Sequence, residues 1–318
     1  MTMTRREFVT QGTLASAAVP AAALAQSAGS TKETVNPVRV RVGMTDWNLG
    51  QRGDITKIAL AREIGLDGIQ VSLQFPTDGS PTLRDPATQA AFRRAALDNG
   101  LQICSLAIGS PGKQRLPLHT NPAAAILLVE AVEVARNIGT NNILLPILGD
   151  SHIDLTSSAQ VNAFVAMMKE VARYAEKYDV VVAVEDWISA EDNVKLLDAI
   201  GSSHIAIYYD AHNIVFKKAT ADIYAEPKLL GRRINQIHVK NAEKLLSTPG
   251  GLIEWPRMAK EFHDIGYRGW YVLETNAPTK DIVADTRANI EYVKKTFRMP
   301  ESERSASVGS TGAADRAT

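Results

Sequence analysis

Four apolar stretches in the second half of the chain each end in a side chain that can bind a metal ion. The first is VVVAVEDW, whose run of branched residues is typical of a strand buried on both faces. The four terminal groups are Glu185, Asp210, His238 and Glu274. Burying such groups without partners costs several kcal/mol for each of them. We therefore expect the four side chains to share a divalent cation.

Three carboxylates and one imidazole form a hard, oxygen-rich donor set. Such a set suits Mn²⁺ or Mg²⁺ better than a structural zinc, which favours Cys and His. Co²⁺ and Zn²⁺ stay open as alternatives. Any one of the four groups is equally well explained as a polar strand end that faces solvent. Their occurrence at four corresponding places favours the shared cation.

Short apolar runs alternate with stretches of helical period, eight of each, from residue 37 to residue 298. This alternation predicts a single-domain (β/α)₈ TIM barrel, whose usual size is about 250 residues. A doubly wound open sheet is the alternative, but no glycine-rich phosphate loop follows the first strand. The predicted elements include strands over Asn142 to Leu148 and Ile205 to Asp210, and a helix over Ile223 to Arg232. In a barrel, the ends of strands five to eight share one mouth, so the four groups can converge.

Composition points to a small-molecule partner. The 318 residues carry a formal net charge of zero, and 45% of them are hydrophobic. A nucleic-acid or anionic-membrane surface would need an excess of basic residues, so neither partner is expected. The single cysteine, Cys104, excludes an intramolecular disulfide framework and lies in an apolar run, where we expect a packed, inert thiol.

Both ends of the chain are predicted to lie outside the barrel. TRREFV at positions 4–9, an apolar stretch at 14–24 and ALA at 23–25 resemble a cleavable twin-arginine signal, which predicts export to the periplasm. The apolar stretch is shorter than the roughly 20 residues that span a bilayer, so no stable membrane insertion is expected after cleavage. Residues 26–36 are a polar spacer, and residues 299–318 are predicted to be a disordered tail.

Five stretches resemble the sugar phosphate isomerase/epimerase superfamily of xylose isomerase-like barrels. They are GLDGIQ at 65–70, VED at 184–186, DAHN at 210–213, HVKN at 238–241, and GYRGW at 266–270 running into LE at 273–274. The resemblance implies a metal held by Glu185, Asp210, His238 and Glu274, with both glutamates facing the substrate as acid and base. A divalent ion chelated by the carbonyl and a neighbouring hydroxyl of the substrate would stabilise the developing enediolate, while one carboxylate removes the proton alpha to the carbonyl and the other returns one.

The sequence departs from the family pattern in two places. Gln70 stands where many relatives carry Glu, and the fourth strand ends in LPIL rather than in a motif with histidine. The substrate therefore need not be a familiar sugar phosphate. Lys240 could pair with a substrate oxyanion, although a pairing with Asp186 is favoured.

Four more side chains, with Lys240, are candidates for substrate binding. Trp47 and Trp187 could stack on a pyranose face or simply pack at the rim of the barrel. His212, two residues after Asp210, could hydrogen-bond a sugar hydroxyl or hold the metal ligands in place. His152 could act as a general base, or it could be a solvated loop histidine.

The favoured function is isomerisation or epimerisation of a carbohydrate or polyol by proton transfer alpha to a carbonyl. A lyase or hydratase acting on 3-keto-glycosides or keto-glycals would use the same site, and export favours that alternative somewhat. A periplasmic sugar-binding protein would need neither the metal nor the two glutamates. A DNA-repair endonuclease of the same superfamily would need more histidines than the six present. Homo-oligomer formation stays open.

Overall fold

The barrel closes completely. The computed structural model describes residues 39–74, 81–109, 121 and 123–298. Eight parallel strands pair in chain order, and β1 pairs with β8 to close the ring. The strands are β1 (Arg41–Thr45), β2 (Gly68–Leu73), β3 (Gln102–Ile108), β4 (Asn142–Pro146), β5 (Val181–Glu185), β6 (Ile205–Tyr209), β7 (Ile234–Val239) and β8 (Trp270–Leu273). The predicted TIM barrel is confirmed, and the open-sheet alternative is wrong.

Helices follow the strands along the described part of the chain. They are α1 (Thr56–Ile64), α2 (Pro86–Asp98), α3 (Ala123–Ile138), α4 (Ser158–Tyr178), α5 (Ala190–Ile200), α6 (Ala211–Phe216), α7 (Glu226–Leu230), α8 (Trp255–Asp264) and α9 (Ile282–Thr296). Helix α2 begins at Pro86 and is capped by Asp85, which accepts from two backbone N–H groups. None of the described helices is both long and apolar enough to cross a membrane.

The interior of the barrel is plugged below the candidate site. Trp270, Val272, Ala107 and Cys104 belong to one buried cluster inside the ring. Gly68 makes room for this plug, since a Cβ there would lie 2.8 Å from the Trp270 ring. Burial raises the pKa of the Cys104 thiol to about 12, consistent with the inert thiol expected from its apolar surroundings.

Aromatic side chains fix α8 and α9 against the last strands. Phe262 of α8 is fully buried, and its ring lies 5.7 to 6.4 Å from the rings of four neighbours. These neighbours are Tyr209, Tyr267, Tyr271 and Phe297. Edge-to-face and tilted aromatic pairs of this kind stabilise a core beyond the area that they bury.

Three predicted boundaries are wrong. Strand β4 ends at Pro146 because its ladder with β5 ends there, two residues before the predicted Leu148. Strand β6 ends at Tyr209, since the next residue, Asp210, caps the unpredicted short helix α6. The helix predicted over 223–232 is only five residues long, Glu226–Leu230, and a 3₁₀ turn follows it.

The predicted signal, spacer and tail fall wholly outside the described residues. Their boundaries stay predictions.

Candidate metal centre

Four side chains meet at the carboxyl-terminal mouth of the barrel. One ligand atom from each of Glu185, Asp210, His238 and Glu274 lies within 4.8 Å of the others. His238 Nδ1 lies 3.1 Å from Glu185 Oε1, 3.6 Å from Glu274 Oε2 and 3.8 Å from Asp210 Oδ2. Glu185, Asp210 and His238 are almost completely buried, and Glu274 is partly exposed. The predicted convergence of these four groups is therefore present in the fold.

Strand geometry explains the convergence. Glu185 is the last residue of β5, His238 is the penultimate residue of β7, and Glu274 directly follows β8. Asp210 directly follows β6 and is the N-cap of α6, where its Oδ1 accepts from the backbone N–H of Asn213 at 3.0 Å. Parallel strands that end at one level bring consecutive chain segments to a common rim.

Lys240 lies among the carboxylates. Its Nζ lies 2.7 Å from Asp210 Oδ2 and 2.7 Å from Glu274 Oε2, and it donates to Asn213 Oδ1 at 3.0 Å. The expected pairing with Asp186 is wrong. Asp186 instead accepts from the Ile188 backbone N–H and the Asn193 amide. The two side chains lie on opposite sides of the sheet, because Lys240 is two residues beyond His238 whereas Asp186 is one beyond Glu185.

Asn213 connects three members of the centre and was missed in the sequence. Its Nδ2 donates to Glu185 Oε1 at 3.0 Å, while its Oδ1 accepts from Lys240. Within the described residues, no hydrogen bond reaches the second oxygen of Glu185, Oε2. The sequence feature that could have revealed Asn213 is its position three residues after Asp210. This position places Asn213 in the first turn of a helix capped by that aspartate.

Charge balance sets the protonation of the centre. Burial opposes ionisation of Asp210, but Lys240 and His238 outweigh burial and hold the pKa of its carboxyl below the usual range. Burial raises the pKa of Glu185, and this rise is only partly opposed by His238. Burial alone would lower the pKa of His238, yet Glu274 and Glu185 raise it to about 10. The protein thus holds clustered carboxylates next to two cationic side chains.

A cavity of about 340 Å³ opens beside the centre. Glu185 and Glu274 both line this cavity. Part of its wall is apolar, because the lining residues from β4 and the segment after it are Leu144, Pro146 and Leu148. The lining residues are Trp47, Arg52, Gln74, Ala107, Ile108, Gly109, Leu144, Pro146, Leu148, Glu185 and Glu274. The LPIL stretch at 145–148, which stands in place of the family's histidine motif, thus gives the cavity an apolar surface.

Trp47 is the predicted substrate-binding aromatic that the fold brings to the centre. Its Nε1–H donates to Glu274 Oε1 at 3.3 Å, and its ring meets the His238 ring edge to face at 6.3 Å. The Arg52 guanidinium lies 4.0 Å from the centre of the same ring. Trp47 therefore orients one glutamate and forms one wall of the cavity.

The sequence profile described as Xylose isomerase-like TIM barrel matches residues 58–296. The chain belongs to this family. The xylose isomerase-like match spans β2 to β8 and includes all four candidate ligands. The resemblance read from the short motifs is thereby confirmed at the level of the superfamily.

Relatives of this xylose isomerase-like chain include sugar epimerases. A D-psicose 3-epimerase of Enterocloster bolteae is 28% identical over 116 residues, which are 34% of this chain and only 37% of that enzyme. An L-ribulose 3-epimerase structure superposes with a TM-score of 0.67 at 17% identity, covering 88% of this chain and 100% of that chain. A xylose isomerase domain protein of Planctomyces limnophilus gives 0.68 at 17% identity, covering 82% and 98%. At these identities, the two structures show the shared fold.

The donor set fits a divalent cation. Carboxylate oxygens and one imidazole nitrogen are ligands for Mn²⁺, Mg²⁺ or a similar ion. The second ring nitrogen of His238, Nε2, lies 3.2 Å from Gln70 Oε1, which is the kind of partner that ligating histidines use. Glu185, Asp210, His238 and Glu274 therefore form a candidate divalent-metal site.

The remaining predicted substrate ligands are His152, Trp187 and His212. His152 and Trp187 pack on each other at 5.7 Å, and Lys217 Nζ lies 4.0 Å from the centre of the Trp187 ring. Neither side chain is among the described residues that line the central cavity. His212 is half-buried in α6, and burial lowers its pKa. Roles of these three residues in substrate binding stay predictions.

Proposed function

We propose that this protein is a divalent-metal-dependent isomerase or epimerase that transfers a proton alpha to the carbonyl of a carbohydrate or polyol. The observation that carries the proposal is the convergence of Glu185, Asp210, His238 and Glu274 within 4.8 Å at the barrel mouth. A bound divalent cation, for which Mn²⁺ and Mg²⁺ are the favoured candidates, would act there as a Lewis acid on a carbonyl oxygen of the substrate.

The two glutamates are the proposed proton carriers. Both reach the cavity, and they are held in different ways. Glu274 accepts from Trp47 at one oxygen and from Lys240 at the other, which fixes its orientation. Glu185 is held through Oε1, whereas no hydrogen bond from the described residues reaches its Oε2, which leaves that oxygen available to take up a proton. One glutamate removes the proton and the other returns one.

The cavity favours a substrate with both polar and apolar faces. Leu144, Pro146 and Leu148 offer carbon surface to a sugar ring, while the carboxylates and Arg52 offer hydrogen-bond partners. The names of two relatives, D-psicose 3-epimerase and L-ribulose 3-epimerase, make free ketoses the first substrates to test.

Solvent-deuterium incorporation tests the proposal. The Mn²⁺-loaded protein is incubated in D₂O with a panel of ketoses and 3-keto-glycosides, and the products are examined by NMR and mass spectrometry. Isomerisation or epimerisation gives deuterium at the carbon next to the carbonyl with no other mass change. Loss or gain of water would replace this reaction by elimination or hydration. Stoichiometric binding of a sugar with no exchange would support a sugar-binding protein and overturn the enzyme.

We also propose that the protein reaches the periplasm through a twin-arginine signal. Replacing the pair Arg5 and Arg6 by lysines should leave the uncleaved chain in the cytoplasm, since the export signal is read from the arginine pair. Fractionation followed by immunoblotting measures this. Lys32→Gln, which removes a positive charge from the spacer, is the matched control and should be exported normally. Export of the double variant at the normal level would contradict the proposal.

A further inference from the structure

Gln70 of β2 contacts the side of the His238 ring that faces away from the carboxylates. Its Oε1 lies 3.2 Å from His238 Nε2, and both side chains are buried inside the barrel. On the opposite edge of the ring, Nδ1 faces Glu185 Oε1 at 3.1 Å. The imidazole is thus held between an amide on one side and the candidate metal ligands on the other.

The orientation of the Gln70 amide is set by two hydroxyl groups. Its Nε2 donates to Ser105 Oγ at 2.7 Å and to Tyr208 OH at 3.1 Å. Both amide hydrogens are therefore used, and Oε1 is left to face the imidazole. The Tyr208 ring also packs on the His238 ring at 4.5 Å. Two hydroxyl groups and one aromatic ring consequently fix the orientation of the Gln70 and His238 side chains relative to each other.

This arrangement determines which nitrogen can bind a metal. An imidazole that binds a cation must leave one nitrogen without a proton and carry its proton on the other. Gln70 Oε1 can only accept, so it favours a proton on Nε2. When a cation displaces the other proton of the imidazolium, the lone pair of Nδ1 faces the space that Glu185, Asp210 and Glu274 share.

We propose that Gln70 is a positioning residue that holds the proton of His238 on Nε2 and presents Nδ1 as the metal ligand. The inference rests on the proposed function, because it assumes that the four side chains bind a cation. Outer partners of ligating histidines act on metal affinity, since they fix the ring and its tautomer. Gln70 does so as a neutral amide and adds no further negative charge to the three carboxylates.

Calorimetric titration of the metal-free full chain with Mn²⁺ tests the role. Gln70→Met keeps the length of the side chain but removes the acceptor, and should raise the Kd for Mn²⁺ by about 10- to 100-fold. Gln70→Glu restores an acceptor and should recover most of the affinity. Gln236→Met is the matched control, because Gln236 is buried in the same barrel two residues before His238 and donates to the Cys104 carbonyl instead. Its Kd should equal that of the wild type.

A second measurement covers the case in which Gln70→Met does not fold. Long-range ¹H–¹⁵N NMR of the Zn²⁺-loaded wild-type chain should show a proton on Nε2 of His238 and none on Nδ1. The reverse tautomer would overturn the inference. An unchanged Kd in Gln70→Met, or an equal loss in Gln236→Met, would overturn it while leaving the metal site intact. Failure of the wild-type chain to bind either ion would overturn the proposed function, and this role with it.

Discussion

Glu185→Gln is expected to reduce solvent-proton exchange by at least about 10²- to 10⁴-fold, the contribution of a positioned acid or base. A glutamine keeps the size of the side chain and can still accept from Asn213 through its remaining oxygen. It cannot take up a proton at neutral pH, and it weakens the charge that would hold a cation. The rate of deuterium incorporation into the best substrate of the panel measures the effect.

Glu191→Gln is the matched control for this substitution. Glu191 is exposed in the first turn of α5, the helix that follows the strand carrying Glu185. Its exchange rate should be that of the wild type. Retention of the full exchange rate in Glu185→Gln would show that Glu185 takes no part in the reaction. The proposal that two glutamates carry the proton would then be wrong.

Phe262→Ala should lower the free energy of unfolding by about 3–5 kcal/mol, the range for truncating a buried aromatic side chain. The fully buried Phe262 ring packs against aromatic rings from β6, from β8, from the segment before β8 and from the end of α9, so its loss leaves a cavity that these neighbours cannot close. Urea denaturation followed by circular dichroism gives the change.

Leu97→Ala provides the comparison, because Leu97 is 69% exposed on α2. We expect its effect to stay within about 0.5 kcal/mol. Comparable losses in the two variants would mean that the aromatic cluster does not stabilise the last third of the barrel.

The convergence of the four candidate ligands could be predicted from the sequence, because a parallel barrel brings the ends of its successive strands together. Glu185, Asp210, His238 and Glu274 are more than 20 residues apart from one to the next, yet each lies in the last two positions of a buried strand or directly follows one. Parallel closure then brings four consecutive strand ends to one rim. This prediction did not require knowledge of any individual contact between the four side chains.

Contacts between side chains were harder to predict. The pairing of Lys240 with Asp210 and Glu274, rather than with Asp186, follows from strand alternation once the inward face of β7 is known. The bridging role of Asn213 depends on α6, a helix of six residues that is too short to leave a periodic pattern. Gln70 was visible only as a departure from the family motif, since its partners come from β3, β6 and β7.

The metal content of the purified protein is the most direct test of the central claim. We expect near-stoichiometric Mn²⁺ or a similar divalent ion by inductively coupled plasma mass spectrometry, and its loss in Asp210→Asn. Asparagine can still cap α6, so this variant should keep the fold while losing a charged ligand. Asp198→Asn, on the surface of α5, should retain the ion. A wild-type chain that contains no divalent metal and takes up none on loading would contradict the four-ligand site.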